Sequence, residues 1–228
     1  MRNERRRMMV GLKGLPSGYE RLGYIDTGTH DDYKYANNQV IYKLPFIKTD
    51  VAATKDLRVK MKIAFHEPQP NGWGYNVCGG YSPNNVATDT LLIGIDNKVR
   101  KIPTFKTFGK NGQISISFTS MFEYEEPVVL DFDWGKGVFK FVNSKMDAET
   151  ITTEPCINAS TSKMWCFLYL TPFLPPFSRL FLGELYYGDE LQCRLIPAKR
   201  KADGIIGMYD LVGRKFYTSP NGMKFTGG

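Results

Sequence analysis

The chain has 228 residues, enough to bury roughly 70% of its unfolded surface in a core that needs no disulfide or metal staple. Aromatic residues make up 14% of it, and 22 Gly and 13 Pro accompany them, which favours many strands joined by tight turns over a helical protein. The formal charge of +7 sits largely in two runs, Arg2, Arg5, Arg6 and Arg7 and then Lys199-Arg200-Lys201; with no stripe of base-reading residues beside them they read as solvated faces, which disfavours nucleic acid as a partner.

Residues 1–14, polar first and then small, read as a basic arm outside the fold: either a disordered tail or a peg that orders against a neighbouring subunit. Met8-Met9-Val10 is broken by Gly11 and Lys13, too short for a signal-peptide core. Residues 15–228 read as one domain. No helical period appears, and helix is expected at most as short turns near Asp50 to Asp56 and Asp147 to Thr150. Leu57, Val59, Met61, Ile63 and Phe65 alternate with Arg58, Lys60, Lys62 and Ala64, the clearest period-two segment in the chain, with one face in the core and the other in water. Residues 66–90 read as a long irregular insertion before a strand at Leu91 to Ile95.

Further strands are expected at Val99 to Ile102, Gln113 to Thr119, Val128 to Trp134 and Val138 to Val142, the last two flanking a Gly135-Lys136-Gly137 hairpin turn. Met164 to Leu170 and Leu180 to Tyr187 follow. The apolar run from Met164 to Phe177 is interrupted by Pro172, Pro175 and Pro176 and falls short of the ~20 residues of a spanning helix, so no membrane segment is expected. The end of the chain reads as four short strands, Leu191 to Leu195, Ile206 to Leu211, Phe216-Tyr217 and Met223 to Phe225, separated by turns at Pro197 to Gly204, Val212 to Arg214 and Ser219 to Gly222. Regularly spaced strands of this number imply an all-β fold, a two-sheet antiparallel jelly-roll sandwich.

Two stretches carry a resemblance. Arg194-Leu195-Ile196-Pro197, Lys201-Ala202-Asp203-Gly204, Gly207-Met208-Tyr209-Asp210-Leu211-Val212 and Phe216-Tyr217-Thr218 resemble the C-terminal signature of a concanavalin A-like (laminin-G/lectin-type) jelly-roll family of gut-bacterial phages and prophages. Leu15-Pro16-Ser17-Gly18-Tyr19-Glu20-Arg21-Leu22 and Tyr24-Ile25-Asp26-Thr27-Gly28 resemble its N-terminal signature, with the link between the two pieces shortened to Gly23; the centre matches in pattern only. The resemblance implies a virion-associated protein, assembled in the bacterial host cytoplasm with other virion proteins and as a homo-oligomer.

Catalytic and metal motifs are sparse. Cys78, Cys156, Cys166 and Cys193 form no C-x-x-C pair, and only His30 and His66 accompany them, so a structural zinc site is not expected; Cys166 and Cys193 read as buried free thiols on strands, with one disulfide among the four as the alternative. A laminarinase-type glycosidase strand, E-x-D-x-x-E or E-x-D-x-E, is missing; Glu123-Tyr124-Glu125-Glu126 and Asp131-Phe132-Asp133 come nearest. Neither His lies in a nucleophile motif. Asp96-Asn97, Asn84-Asn85 and Asp131 offer oxygen atoms to Ca2+ without an ordered ligand spacing, so no cofactor is expected.

The best ligand candidate is the 66–90 stretch, where Trp73, Tyr75 and Tyr81 are interleaved with Asn76, Asn84 and Asn85: rings stack on sugar faces and amides bond hydroxyls. Trp165-Cys166-Phe167-Leu168-Tyr169-Leu170 is apolar on both faces, so either a loop covers it or Trp165, Phe167 and Tyr169, with Arg5, Arg6 and Arg7 of the arm, meet another subunit. The resemblance implies a non-enzymatic virion decoration protein, and with the 66–90 stretch the expectation is weak, multivalent adhesion to host or mucosal glycans; the alternatives are a glycoside hydrolase of laminarinase-like fold and a subunit with no ligand.

Overall fold

A computed structural model describes residues 14–28, 44–66, 75–80, 91–96, 102–109, 112–155, 160–168 and 177–228. Every element among them is a strand: β1 (Tyr19–Arg21), β2 (Ile25–Asp26), β3 (Ile47–Thr54), β4 (Leu57–Phe65), β5 (Tyr75–Gly80), β6 (Leu91–Asp96), β7 (Ile102–Gly109), β8 (Gly112–Ser117), β9 (Val128–Asp133), β10 (Val138–Val142), β11 (Ala148–Thr152), β12 (Ser160–Phe167), β13 (Ser178–Tyr187), β14 (Glu190–Arg200), β15 (Ile206–Asp210), β16 (Lys215–Tyr217) and β17 (Thr226–Gly227). The helical turns expected near Asp50 and Asp147 are instead parts of β3 and β11, where β-branched Val51, Thr54, Thr150, Ile151 and Thr152 fit a pleated surface better than a helix.

The strands form two antiparallel sheets. The larger runs β11-β10-β9-β4-β13-β14-β15-β16, with β1 beside β14 and β2 beside β13 and β17; the smaller runs β3-β12-β5-β6-β7-β8. Strand β4 lies centrally in the larger sheet, and Leu57, Val59, Met61, Ile63 and Phe65 are all buried in the main core, each burial worth about 1.5–3 kcal/mol. Its other face carries charge. Lys140, Asp131, Lys60, Glu184 and Arg194 stand in register across β10, β9, β4, β13 and β14, a row of alternating sign in which each neighbour attracts the next.

The smaller sheet meets the core through Ile47 and Ala53 of β3 and Trp165 and Phe167 of β12. Both rings of β12 are fully buried, Trp165 lying 5.6 Å from Trp134, and its opposite face is closed where Cys166 packs on Phe46. Trp165 and Phe167 are therefore interior side chains within the chain, packed between the two sheets. Phe167 lies over Gly183 of β13, whose missing side chain lets the two sheets approach; a Cβ there would come 3.0 Å from the ring.

Residues 66–90 are not one irregular insertion. Tyr75–Gly80 forms β5, paired with β12 and β6, and Gly80 stands opposite Trp165, leaving room on the face that the indole fills. Gly79 and Gly80 are thus strand residues, opposite Cys166 and Trp165. Pro197 is likewise inside β14 and not in a turn. Its carbonyl accepts from Leu22 N at 3.1 Å, and because the N and O of one strand residue project to the same side, its missing N–H points at the seam where pairing with β13 has ended and pairing with β1 begins. The final strand is Thr226–Gly227; Phe225 is buried just before it.

The two ends of the described chain pack on each other. Tyr19 of β1 lies 4.8 Å from Tyr209 and 5.1 Å from Phe216, in a small second cluster with Leu15, Ile196 and Ala198 on the outer side of the larger sheet. The motifs that carry the family resemblance are thus one structural unit. Gly14 is the sole residue of the 1–14 arm that is described, and its carbonyl accepts from Arg214 at 3.1 Å; the rest of the arm, with Arg5, Arg6 and Arg7, lies outside the described residues.

Candidate functional site

Strand β4 alternates until Phe65, and the next residue, His66, emerges at one rim of the sandwich. Three other segments converge on it. Asp26 of β2 pairs with Arg179 of β13, which pairs in turn with Ala64 of β4, so Asp26 and Arg179 share the outward face. Glu125 belongs to the connection before β9, and its backbone N donates to Phe65 O at 2.7 Å while holding φ at +65°, a conformation few non-glycine residues adopt. His66 N donates to Phe177 O at 2.9 Å, and Thr27 N to Ser178 O at 3.1 Å.

The side chains close a ring of charge. His66 Nε2 lies 2.9 Å from Asp26 Oδ1 and Nδ1 lies 2.6 Å from Glu125 Oε1. Arg179 Nε donates to Asp26 Oδ2 at 2.9 Å and Nη1 to Glu125 Oε2 at 2.6 Å, so each carboxylate is shared by the imidazole and the guanidinium. Gly28 N adds a bond of 2.8 Å to Asp26 Oδ1. His66 and Asp26 are buried, Arg179 is partly exposed and Glu125 reaches solvent.

Burial alone pushes the His66 imidazole down, but the hydrogen bonds and charges of Asp26 and Glu125 outweigh it and hold its pKa above the ordinary value of 6.5. For Asp26 burial pushes up, and the bond from His66, then Gly28 N and Arg179, bring its carboxyl below the ordinary 3.8. The cause is visible in the geometry. A neutral imidazole has one N–H and would turn a lone pair towards one of the carboxylates, whereas the imidazolium donates to both. Both protons are then committed, and the cluster works as a clamp on the chain. The segments it grips lead directly into residues 29, 67 and, from the other side, 176; the second of these carries Trp73 into β5.

The sequence missed this cluster because His66 stands 40 residues from Asp26 and 59 from Glu125. Its only signal is an ionisable residue closing a strongly alternating strand. Of the glycan candidates, Tyr75 and Asn76 lie on β5, whereas Trp73, Tyr81, Asn84 and Asn85 are outside the described residues, as is Tyr169 among the proposed contacts. In sequence Trp73 precedes β5, and Tyr81, Asn84 and Asn85 follow it. Asp131 is taken by Arg58, which donates to it at 2.8 and 2.7 Å, and Asp133 accepts from Lys136 N at 2.9 Å in the hairpin turn. Among the described residues no group of three or more His, Cys, Asp or Glu is arranged to hold a metal ion.

No protein-family model matches the chain, and no curated protein does. Solved structures do. Full-length tailspike protein 2 from an Escherichia coli O157:H7 bacteriophage is similar over 84% of this chain with a TM-score of 0.51 and 10% identity, and the chain spans 31% of that tailspike's length. The heptameric SAP-like pentraxin from Limulus polyphemus aligns over 75% of this chain and 77% of its own, with a TM-score of 0.47 and 12% identity. Mouse laminin alpha1 chain domains LG4-5 align over 87% and 50%, with a TM-score of 0.46 and 9% identity. With its two antiparallel sheets closed over one core, the chain has the lectin-like jelly-roll sandwich fold, all-β throughout its described residues.

Proposed function

We propose that this chain is a non-catalytic module of a phage particle that decorates head or tail as an oligomer with other virion proteins and adheres weakly and multivalently to host-surface or mucosal glycans. The observation that carries this reading is the clamp of Asp26, His66, Glu125 and Arg179, which fixes the root of the segment bearing Trp73. The clamp's carboxylates are neutralised by each other's cations, which supports a scaffold over an acid pair poised to break a glycosidic bond. The resemblance of the chain's two ends, and the bacteriophage origin of the tailspike with a similar fold, support the particle. Many copies raise avidity without tight single sites.

The test is a glycan array of bacterial surface and mucin saccharides probed with the full chain and with Trp73→Ala, with circular dichroism as the check of folding. The reading expects binding by the parent and its loss in the variant at unchanged dichroism. Array silence in the parent overturns it, and so does release of reducing ends from a polysaccharide that stops in Glu125→Gln, which makes the chain a hydrolase.

A further inference from the structure

Strand β13 contains one residue more than its partner. Leu180 stands opposite Ile63 but Leu182 stands opposite Lys62, so Phe181 is the extra residue of a β-bulge. Leu180 is buried in the main core, whereas Leu182 packs on the outer cluster with Ile196. Phe181 also turns outward, its ring 5.7 Å from Tyr24 at 55°, and both rings are partly exposed. A regular strand would have put one side chain on this face; the bulge puts two there and makes one of them aromatic.

Two cations flank the rings. Lys62 Nζ lies 5.6 Å from the Phe181 centroid and Arg179 Cζ 5.1 Å from the Tyr24 centroid. Their charges are in different states. Arg179 is spent on Asp26 and Glu125, so it steadies Tyr24. Lys62 is exposed, and its neighbours across the sheet are Val129 and Leu182, which carry no charge. The next cation along the same strand, Lys60, stands between Asp131 and Glu184. Lys62 thus lies outside the row of alternating sign, beside the ring that the bulge presents.

We propose that Phe181, Tyr24 and Lys62 form a binding site for a carboxylate-bearing saccharide, such as a hexuronic acid unit of an acidic polysaccharide. The apolar C–H face of the sugar lies on the partly exposed ring pair, and its carboxylate meets the Lys62 ammonium, whose flexible stem lets it swing from the ring to the acid. Phe181 and Lys62 are carried by β13 and β4, and Tyr24 stands immediately before β2, so the spacing is set before the ligand arrives. This site shares with the glycan-binding reading only its class of ligand, and it stands apart from the Trp73 segment.

The experiment titrates the full chain with an oligogalacturonate and with a neutral malto-oligosaccharide of equal length by calorimetry, in the parent, Lys62→Gln, Phe181→Ala and Trp73→Ala. The acidic sugar binds the parent, the neutral one does not, affinity falls with added salt, and Lys62→Gln weakens it about tenfold. Lys62→Gln changes an exposed side chain, so it reads the site without the risk of misfolding that Phe181→Ala carries. Equal binding of both sugars, no binding of the acid by the parent, or binding untouched by Lys62→Gln overturns the proposal. Acid binding lost in Trp73→Ala but kept in Lys62→Gln also overturns it while leaving the glycan-binding reading intact. Array silence together with Lys62-dependent acid binding does the reverse.

Discussion

Glu125 holds His66 from two directions: its backbone N donates to the carbonyl of the preceding Phe65 at 2.7 Å, and its Oε1 accepts from His66 Nδ1 at 2.6 Å. Backbone and side chain of this one residue thus anchor both Phe65 and His66 at the end of the central strand.

Stability should follow the protonation of this cluster. The folded pKa of His66 is raised above 6.5, so its contribution is complete below that value and lost as pH rises through the folded pKa. Asp26 is lowered below 3.8, so its contribution is complete above that value and lost as pH falls through the folded pKa. The plateau lies between the two. Thermal midpoints compared at mildly acidic and alkaline pH should drop by about 3 °C on the alkaline side for each kcal/mol lost. In His66→Gln the plateau midpoint is lower and the alkaline loss shrinks; an unchanged alkaline slope would rule out His66 as its source.

Gly183→Ala should destabilise the chain by about 2 kcal/mol, because the added Cβ meets the ring of fully buried Phe167 at 3.0–3.3 Å and one of the two sheets must shift. Urea unfolding reads the loss. The cause is specific to that ring, so Phe167→Leu combined with Gly183→Ala should cost less than the two changes added together. Strict additivity would place the strain elsewhere.

Cys166 and Cys193 should resist alkylation. Burial pushes both thiols well up from the ordinary 9.0, with Lys48 opposing it slightly at Cys166 and Asp210 reinforcing it at Cys193. The thiolate is the reactive form, so iodoacetamide should label these two positions in denaturant and leave them unlabelled in the native chain, as read by peptide mass mapping. Rapid native labelling of either would contradict its burial.

The sequence reveals what repeats locally. Leu57 to Phe65 declares a half-buried strand because five apolar residues alternate with polar ones, and Trp165-Cys166-Phe167 declares a doubly covered strand because neither face is polar. The motifs at Leu15 to Leu22 and Arg194 to Thr218 point to the same sandwich, and the structure packs Tyr19 on Tyr209 and Phe216. Features that depend on distant partners stay hidden. Gly79-Gly80 reads as part of an irregular insertion until Cys166 and Trp165 stand opposite, and Pro197 reads as a turn residue until its missing N–H is seen to face a seam. The clamp is the extreme case: Asp26, His66, Glu125 and Arg179 come from four separate segments, and no local pattern ties them.

Strand β1 finds its place only beside β14, since Tyr19 pairs with Arg200, and β2 only between β13 and β17. On the ribosome, at about 5–20 residues per second, the first strands to emerge wait on the order of ten seconds or longer before their partners exist. Until then their edges are open to any passing strand, so a chaperone that shields nascent segments should raise the yield of folded chain more than one acting after release.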